Sequence, residues 1–304
     1  MEIHWYPGHM AKTRRMIREH LPLVDVVLEL TDARAPLSTH IPDLEELLGC
    51  RKNIIVALNK ADLADQDITK LWVKKFKEMN INAVEVDTPG RRGLHRLIDL
   101  IKEAAGENLR RAARCVVVGV PNVGKSSIIN QMVGRKVAKT GDMPGVTKGK
   151  MWLKVDKKLE LLDTPGILWP KIESRSTGIK LALLGCIKDE LLNIEELSML
   201  LIGFLSNRHP DGLISRYKVD PGKNPREILE QIAKNRGFLL SGGFPDIYRS
   251  ARVVISEFRR GRLGKISLEI PDQQEFWQEP TLHGLKGPWA ADFLPSDVKK
   301  QDFE

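Results

Sequence analysis

Apolar positions along the first half of the chain fall into short runs separated by longer periodic stretches. Val24-Asp25-Val26-Val27-Leu28-Glu29-Leu30, Asn53-Ile54-Ile55-Val56-Ala57-Leu58, Ala83-Val84-Glu85-Val86 and Cys115-Val116-Val117-Val118 predict strands, mostly buried. The stretches between them predict helices around Pro42–Leu48, over Ile68–Met79 and over Leu94–Ala105. Leu71, Trp72, Phe76 and Met79 give the second of these one apolar face. Another helix is expected over Ser127–Val133, followed by a hairpin whose arms, Gly149–Val155 and Leu159–Leu162, flank Asp156-Lys157-Lys158. Alternation of this kind predicts an α/β domain: a mostly parallel six-stranded sheet, one strand antiparallel, with helices on both faces.

The pattern changes after Thr177. Ile179, Leu181, Leu184, Ile187, Leu191 and Leu192 suit one amphipathic helix. Asn193 with Glu196 opens a second, to about Asn207, and Asn224-Pro225-Arg226-Glu227 a third, to about Arg236. Asp246 caps a fourth, to about Arg260. With no strands among them, these helices predict a separate all-helical domain. The expected organisation is a basic N-terminal segment (1–20), an α/β domain (21–175), a helical RNA-binding domain (176–268) and a loosely ordered acidic tail (269–304).

Composition narrows the partners. The 304 residues are 42% hydrophobic and 29% charged, as in ordinary globular proteins, but carry a net charge of +8. That excess favours a polyanion. Arg249, Arg252, Arg259, Arg260, Arg262 and Lys265 crowd the last helix and its exit. Such side chains give salt-dependent phosphate contacts without base readout, so RNA is expected, ahead of a merely solvated helix end, and no DNA sequence specificity. A basic helix over His9–Glu19 admits two readings: RNA contact, or a solvated face with Met10, Ile17 and Leu21 turned inward. Cys50, Cys115 and Cys186 lack metal-ligand spacing and read as reduced core residues of a cytoplasmic protein, expected to be a monomer. No apolar run approaches the length needed to cross a membrane, and the N-terminus lacks a signal-peptide core.

The chemistry centres on Gly119-Val120-Pro121-Asn122-Val123-Gly124-Lys125-Ser126-Ser127, a P-loop pattern lying between strand and helix. Gly119 and Gly124 let successive N–H groups turn toward a phosphate, and the helix N-terminus adds positive potential there. Residues 121–127 are thus candidate nucleotide contacts. Lys125 would reach the β- and γ-phosphates and Ser126 would ligate Mg²⁺.

Three further elements complete a constellation. In Asn59-Lys60-Ala61-Asp62, a carboxylate can accept from both N1–H and the 2-amino group of guanine, a donor pair adenine lacks. Asn59 would contact the other edge of the base, and the Lys60 stem would cover the ring. Asp163-Thr164-Pro165-Gly166 would hold Mg²⁺ through water at Asp163 and offer the Gly166 N–H to the γ-phosphate. Thr147, just before the hairpin, is a candidate second hydroxyl ligand to Mg²⁺ and γ-phosphate, with Thr140 its competitor. Asp87-Thr88 follows the third strand, where backbone groups could reach the guanine O6.

The motif order is unusual, because the Asn59–Asp62 loop precedes the P-loop. Relocated chain ends still assemble the same site, since domain termini lie at surfaces. The break falls after Gly166, which ties the γ-phosphate loop directly to the helical segment. With Trp5-Tyr6-Pro7-Gly8-His9-Met10-Ala11-Lys12, Asp32-Ala33-Arg34 and Leu161–Pro170, these motifs make the chain resemble the circularly permuted GTPases, to about residue 270. The resemblance implies GTP binding with Mg²⁺, and GTP hydrolysis coupled to late maturation of the large ribosomal subunit, whose rRNA the helical domain contacts.

Two expectations concern catalysis. Ile167 stands where a water-orienting Gln is found in Ras-like enzymes and cannot play that part. His9, with His4 as runner-up, is the candidate to supply the missing group. In similar GTPases an Asn at the position of Asn122 helps hold K⁺, so K⁺ is a candidate cofactor. Competing readings are a P-loop ATPase, which Asp62 opposes, and an RNA-binding scaffold in which nucleotide is mainly structural or regulatory.

Overall fold

The computed structural model describes residues 19–42, 53–106, 109–135, 152–164 and 174–272, with Arg15, Leu44, Leu48, Gly166 and Ile172 besides. Strands β1 (Val26–Asp32), β2 (Asn53–Asn59), β3 (Asn82–Val86), β4 (Ala113–Gly119), β5 (Trp152–Lys154) and β6 (Leu159–Asp163) form one sheet in the order β3-β2-β1-β4-β6-β5. All neighbours pair in parallel except β5 with β6. The fold class expected from the hydrophobic pattern is the one observed.

Alternation along the strands divides the core. Val26, Leu28 and Leu30 of β1, with Cys115 and Val117 of β4, join α2 (Leu94–Ala105) and α3 (Lys125–Val133) in one cluster. Val27, Val116, Val118 and Leu162 face Ile41, Leu44 and Leu48 on the opposite side. There α1 (Gln66–Glu78) lays Trp72 and Phe76 on Val56 and Leu58. Asp65 caps α1 by accepting from Asp67 N and Ile68 N at 2.9 and 3.0 Å. Of the helix expected around Pro42–Leu48, only Pro42, Leu44 and Leu48 lie within the described residues; of the basic helix over His9–Glu19, only Arg15 and Glu19 do.

Helices α4 (Arg175–Leu183), α5 (Ile194–Arg208), α6 (Pro210–Tyr217), α7 (Pro225–Arg236) and α8 (Ile247–Arg259) follow. Asn193, Asn224 and Asp246 cap α5, α7 and α8 through their side chains. Two sequence expectations need correcting. The single helix expected through Leu192 stops at Leu183, because Gly185 takes φ 74° and Cys186 N returns to Leu181 O at 2.8 Å. Moreover, α4 is not amphipathic: every residue from Gly178 to Leu183 is buried. Helix α6 was not expected at all. Pro210-Asp211-Gly212 reads as a turn, yet Pro210 sits at the first helical position, and a Cβ on Gly212 would lie 2.2 Å from Leu263 O.

The helical region is docked onto the α/β layer. Its apolar side chains continue the same cluster that fills one face of the sheet. The chain after α8 then returns across the sheet's end, with Ile266 N donating to Leu63 O at 3.1 Å and Leu268 N to Arg34 O at 2.7 Å. The loosely ordered tail expected from residue 269 therefore starts too early. Glu269 is 5% exposed and accepts from Leu37 N, Ser38 N, Ser38 Oγ and Lys180 Nζ. Its own carbonyl accepts from Trp72 Nε1 at 3.2 Å. The remainder of the tail, 273–304, lies outside the described residues.

Candidate nucleotide site

Parallel pairing brings the motif residues to one edge. Asp32 pairs with Asn59 and Asn59 with Val86, while Leu30 pairs with Gly119 and Val117 with Asp163. Among the described residues, the loops at Asn59, Asp87, Gly119 and Asp163 all leave the carboxyl end of a strand. Beside the P-loop strand β4, strand order reverses between β1 and β4, where open α/β sheets bind ligands.

The P-loop has the backbone its glycines permit. Gly119 and Gly124 lie at φ 152° and 98°, and Asn122 at 61°. A Cβ on Gly119 would meet Leu30 O at 2.5 Å, so the loop sits directly on β1. Lys125 is buried at the first turn of α3, its Nζ donating to Gly119 O and Val120 O at 2.9 Å each. Burial pushes its ammonium down to about 8, against the pull of Asp163. Ser126 and Ser127 follow, half-buried, while Pro121 and Val123 are buried. Gly166 packs on the same loop: a Cβ there would lie 3.0 Å from Pro121 Cα.

Asn59, expected to contact the base, also holds the surrounding loops in place. Its Nδ2 donates to Val123 O at 2.7 Å and its Oδ1 accepts from Thr88 Oγ1 at 2.7 Å. The amide thus stitches the P-loop, the base loop and the loop after β3 together. Thr88 is committed to Asn59, and Asp87 accepts from Gly90 N and Arg92 Nε, so neither acts as a free polar side chain.

Among the described residues, two carboxylates stand out by being unmet. Asp163 buries both oxygens, and Asp62 buries Oδ1, without a hydrogen-bond partner. Burial raises both carboxyl groups above their ordinary values, with Asp87 adding to the effect at Asp62. Buried polar atoms are normally satisfied, so both positions fit a ligand. Asp163 beside Lys125 suits a hydrated divalent cation, and Asp62 suits a base edge that presents donors.

Behind the site, residues distant in sequence form a ring of polar contacts with one another. Lys60, at φ 59°, donates from Nζ to Asn122 O at 2.6 Å and pairs with Asp32 at 2.9 Å. Arg34 forks onto Asp32 and reaches Arg259 O at 3.4 Å. Arg259 in turn clamps Leu183 O, Ala182 O and Asp189, and Asn122 Nδ2 donates to Gly185 O. Arg259 is therefore committed to the end of α4, not to a partner's phosphates as its place in the basic cluster suggested. Glu257, which lies within that cluster in sequence, is buried against Arg216 and Tyr217. Lone charges inside apolar runs, Lys180 and Glu269 above all, were the available signal for buried partners. His9 and Thr147 lie outside the described residues, as do His4, Thr140 and Ile167.

The fold and these loops define a P-loop nucleotide-binding domain with circularly permuted motifs. The family model described as 50S ribosome-binding GTPase matches residues 114–231, from the start of β4. Ribosome biogenesis GTPase A of Bacillus cereus is 42% identical over 285 residues, spanning 90% of this chain and 95% of the relative. Its Thermotoga maritima counterpart is 36% identical over 281 residues, spanning 92% and 99%. The structure of GNP-bound YlqF from T. maritima, 31% identical, superposes with a TM-score of 0.64, covering 86% of this chain and all of that one. The GDP-bound structure of TM YlqF gives 0.64 at 30% identity, covering 85% of this chain and all of that one. The chain belongs to the ribosome biogenesis GTPase A family of circularly permuted GTPases. It binds guanine nucleotide and hydrolyses GTP.

Proposed function

We propose that this GTPase is a molecular switch of ribosome biogenesis that binds the large ribosomal subunit through its rRNA and promotes late assembly from the cytoplasm. The observation that carries the switch is the ring joining P-loop, base loop and helical region: Asn122 to Gly185, Arg259 to Arg34, Arg34 to Asp32, Asp32 to Lys60 and back to Asn122. A nucleotide that repositions the P-loop or the loop ending at Gly166 bears at once on α4 and α8. The helical region offers the exposed arginines, so its position governs the grip on RNA.

In this reading residues 121–127 and the α3 N-terminus cradle the phosphates, and Lys125 turns from the loop's own carbonyls to the β- and γ-oxygens. Asp62 accepts from guanine, and the Lys60 stem flanks the base. Gly166 N–H meets the γ-phosphate. Ser126, Thr147 and, through water, Asp163 would hold Mg²⁺, which when bound offsets the charge of the phosphate oxygens. Asn122 would help hold K⁺ beside them, and His9 would orient the attacking water once the large subunit is bound. Co-sedimentation with purified large subunits tests the switch. More protein should pellet with a non-hydrolysable GTP analogue than with GDP; equal pelleting in both states contradicts it.

A further inference from the structure

The surface between α7 and α8 carries apolar side chains that the fold has no use for. Leu239, Leu240, Phe244 and Tyr248 are 52%, 55%, 69% and 53% exposed. They are not displayed by a slack connection. Phe238 N closes the end of α7 onto Ala233 O at 2.8 Å, and Asp246 N donates to Phe238 O at 2.8 Å at the start of α8. Between these, Leu240 N donates to Phe244 O at 2.8 Å and Gly243 N to Leu240 O at 3.0 Å, with Gly242 and Gly243 at φ 85° and 79°. The result is a tight arch that fixes its apolar residues outward. Phe244 lies against Gly242, where a Cβ would stand 3.2 Å from the ring.

The arch is flanked by positive charge. Arg249 stacks over Phe238 with its Cζ 4.5 Å from the ring centre, and Arg252 lies over Tyr248 at 5.9 Å. Both are exposed, as are Lys234 and Arg236 at the end of α7. An outward apolar patch marks a docking surface. A protein partner's apolar face would explain the leucines but not the cations arrayed among the aromatic rings. Planar, polyanionic ligands match both: bases stack on aromatic faces and on guanidinium planes, while phosphates meet the arginines.

We propose that the arch of residues 238–252 is a platform for unpaired RNA, with Phe244 and Tyr248 taking unstacked bases and Arg249 and Arg252 the adjoining phosphates. This rests on the reading of ribosomal RNA as the partner and specifies the form of RNA the helical region prefers. Single-stranded segments splay their bases; a duplex keeps them stacked and leaves the arch with phosphates alone.

The test is fluorescence anisotropy of the full chain with a labelled single-stranded RNA oligonucleotide and a hairpin stem of equal length, across a salt series. The wild type should prefer the single strand. Phe244→Ala should weaken single-strand binding about tenfold without altering the salt slope. Phe244→Leu, which keeps apolar bulk but not the ring, should bind no better than Phe244→Ala. Arg252→Gln should reduce the salt slope by about 0.7. Since Phe244 is exposed, the wild-type melting temperature of each variant shows that folding is intact. Single-strand binding by Phe244→Ala equal to wild type, or full recovery in Phe244→Leu, overturns the platform. A wild type that binds neither RNA while pelleting with large subunits overturns the RNA partner itself.

Discussion

The guanidinium of Arg34 forks onto the carboxylate of Asp32, Nε to Oδ1 at 2.9 Å and Nη2 to Oδ2 at 2.8 Å, with both residues out of contact with water. Burial alone would raise the Asp32 carboxyl, but Arg34 and Lys60 outweigh it and hold the group far below the usual carboxylate range. Arg34→Met removes the fork and leaves the carboxylate with Lys60 and the backbone N–H of residue 34. The expected loss is about 3–5 kcal/mol of unfolding free energy, read from the denaturant midpoint. A variant as stable as wild type would show the pair to be dispensable.

The ion pair of Lys180 with Glu269, 3.0 Å apart and fully enclosed, ties α4 to the chain that returns over β1. Glu269→Gln keeps the shape but takes from Lys180 its charged partner on the returning chain. It should lower stability by about 3–5 kcal/mol. Lys180→Met combined with Glu269→Gln should recover part of that loss, since the amide oxygen still accepts from Leu37 N and Ser38 N while the lysine charge is gone. If the double variant is less stable than the sum of the two single ones, the loss lies elsewhere.

Much of this architecture could be read from residues in sequence. The β-branched runs and their loops placed Asp32, Asn59, Gly119 and Asp163 at strand ends, and parallel pairing did the rest. Helix α6 escaped because Pro-Asp-Gly is a turn signal that close packing of Gly212 on Leu263 overrides. The role of Asn59 escaped because its partners, Val123 and Thr88, are distant in sequence. Arg259 was misjudged for a related reason: a cluster of charges in sequence does not say which one turns inward.

Asn122 donates to Gly185 O from the side chain proposed to help hold K⁺. Turnover measured in K⁺ and in Na⁺ at equal ionic strength should be faster in K⁺. In Asn122→Ala the difference should vanish while GDP affinity stays within about threefold, as for an interaction made mainly in the transition state. The same rate in both salts for the wild type would remove K⁺ from the account.

His9→Ala should turn over GTP at the wild-type rate alone but lose the acceleration given by large subunits. Its nucleotide affinity should be unchanged, because the group acts on the water and not on the bound ligand. Unchanged stimulation in this variant would assign the water to another group, with His4→Ala the next to assay.

The central claim is that loops from before and after β4 form one guanine site, with the buried, unmet Oδ1 of Asp62 reading the base. Asp62→Asn replaces one acceptor of the pair with a donor and so suits xanthine, which offers a carbonyl where guanine has its amino group. Competition binding of GDP and xanthosine diphosphate measures this directly. The wild type should prefer GDP and the variant xanthosine diphosphate, with a combined change of at least about a hundredfold. A variant that loses both nucleotides equally, or still prefers GDP, would contradict the site as assigned.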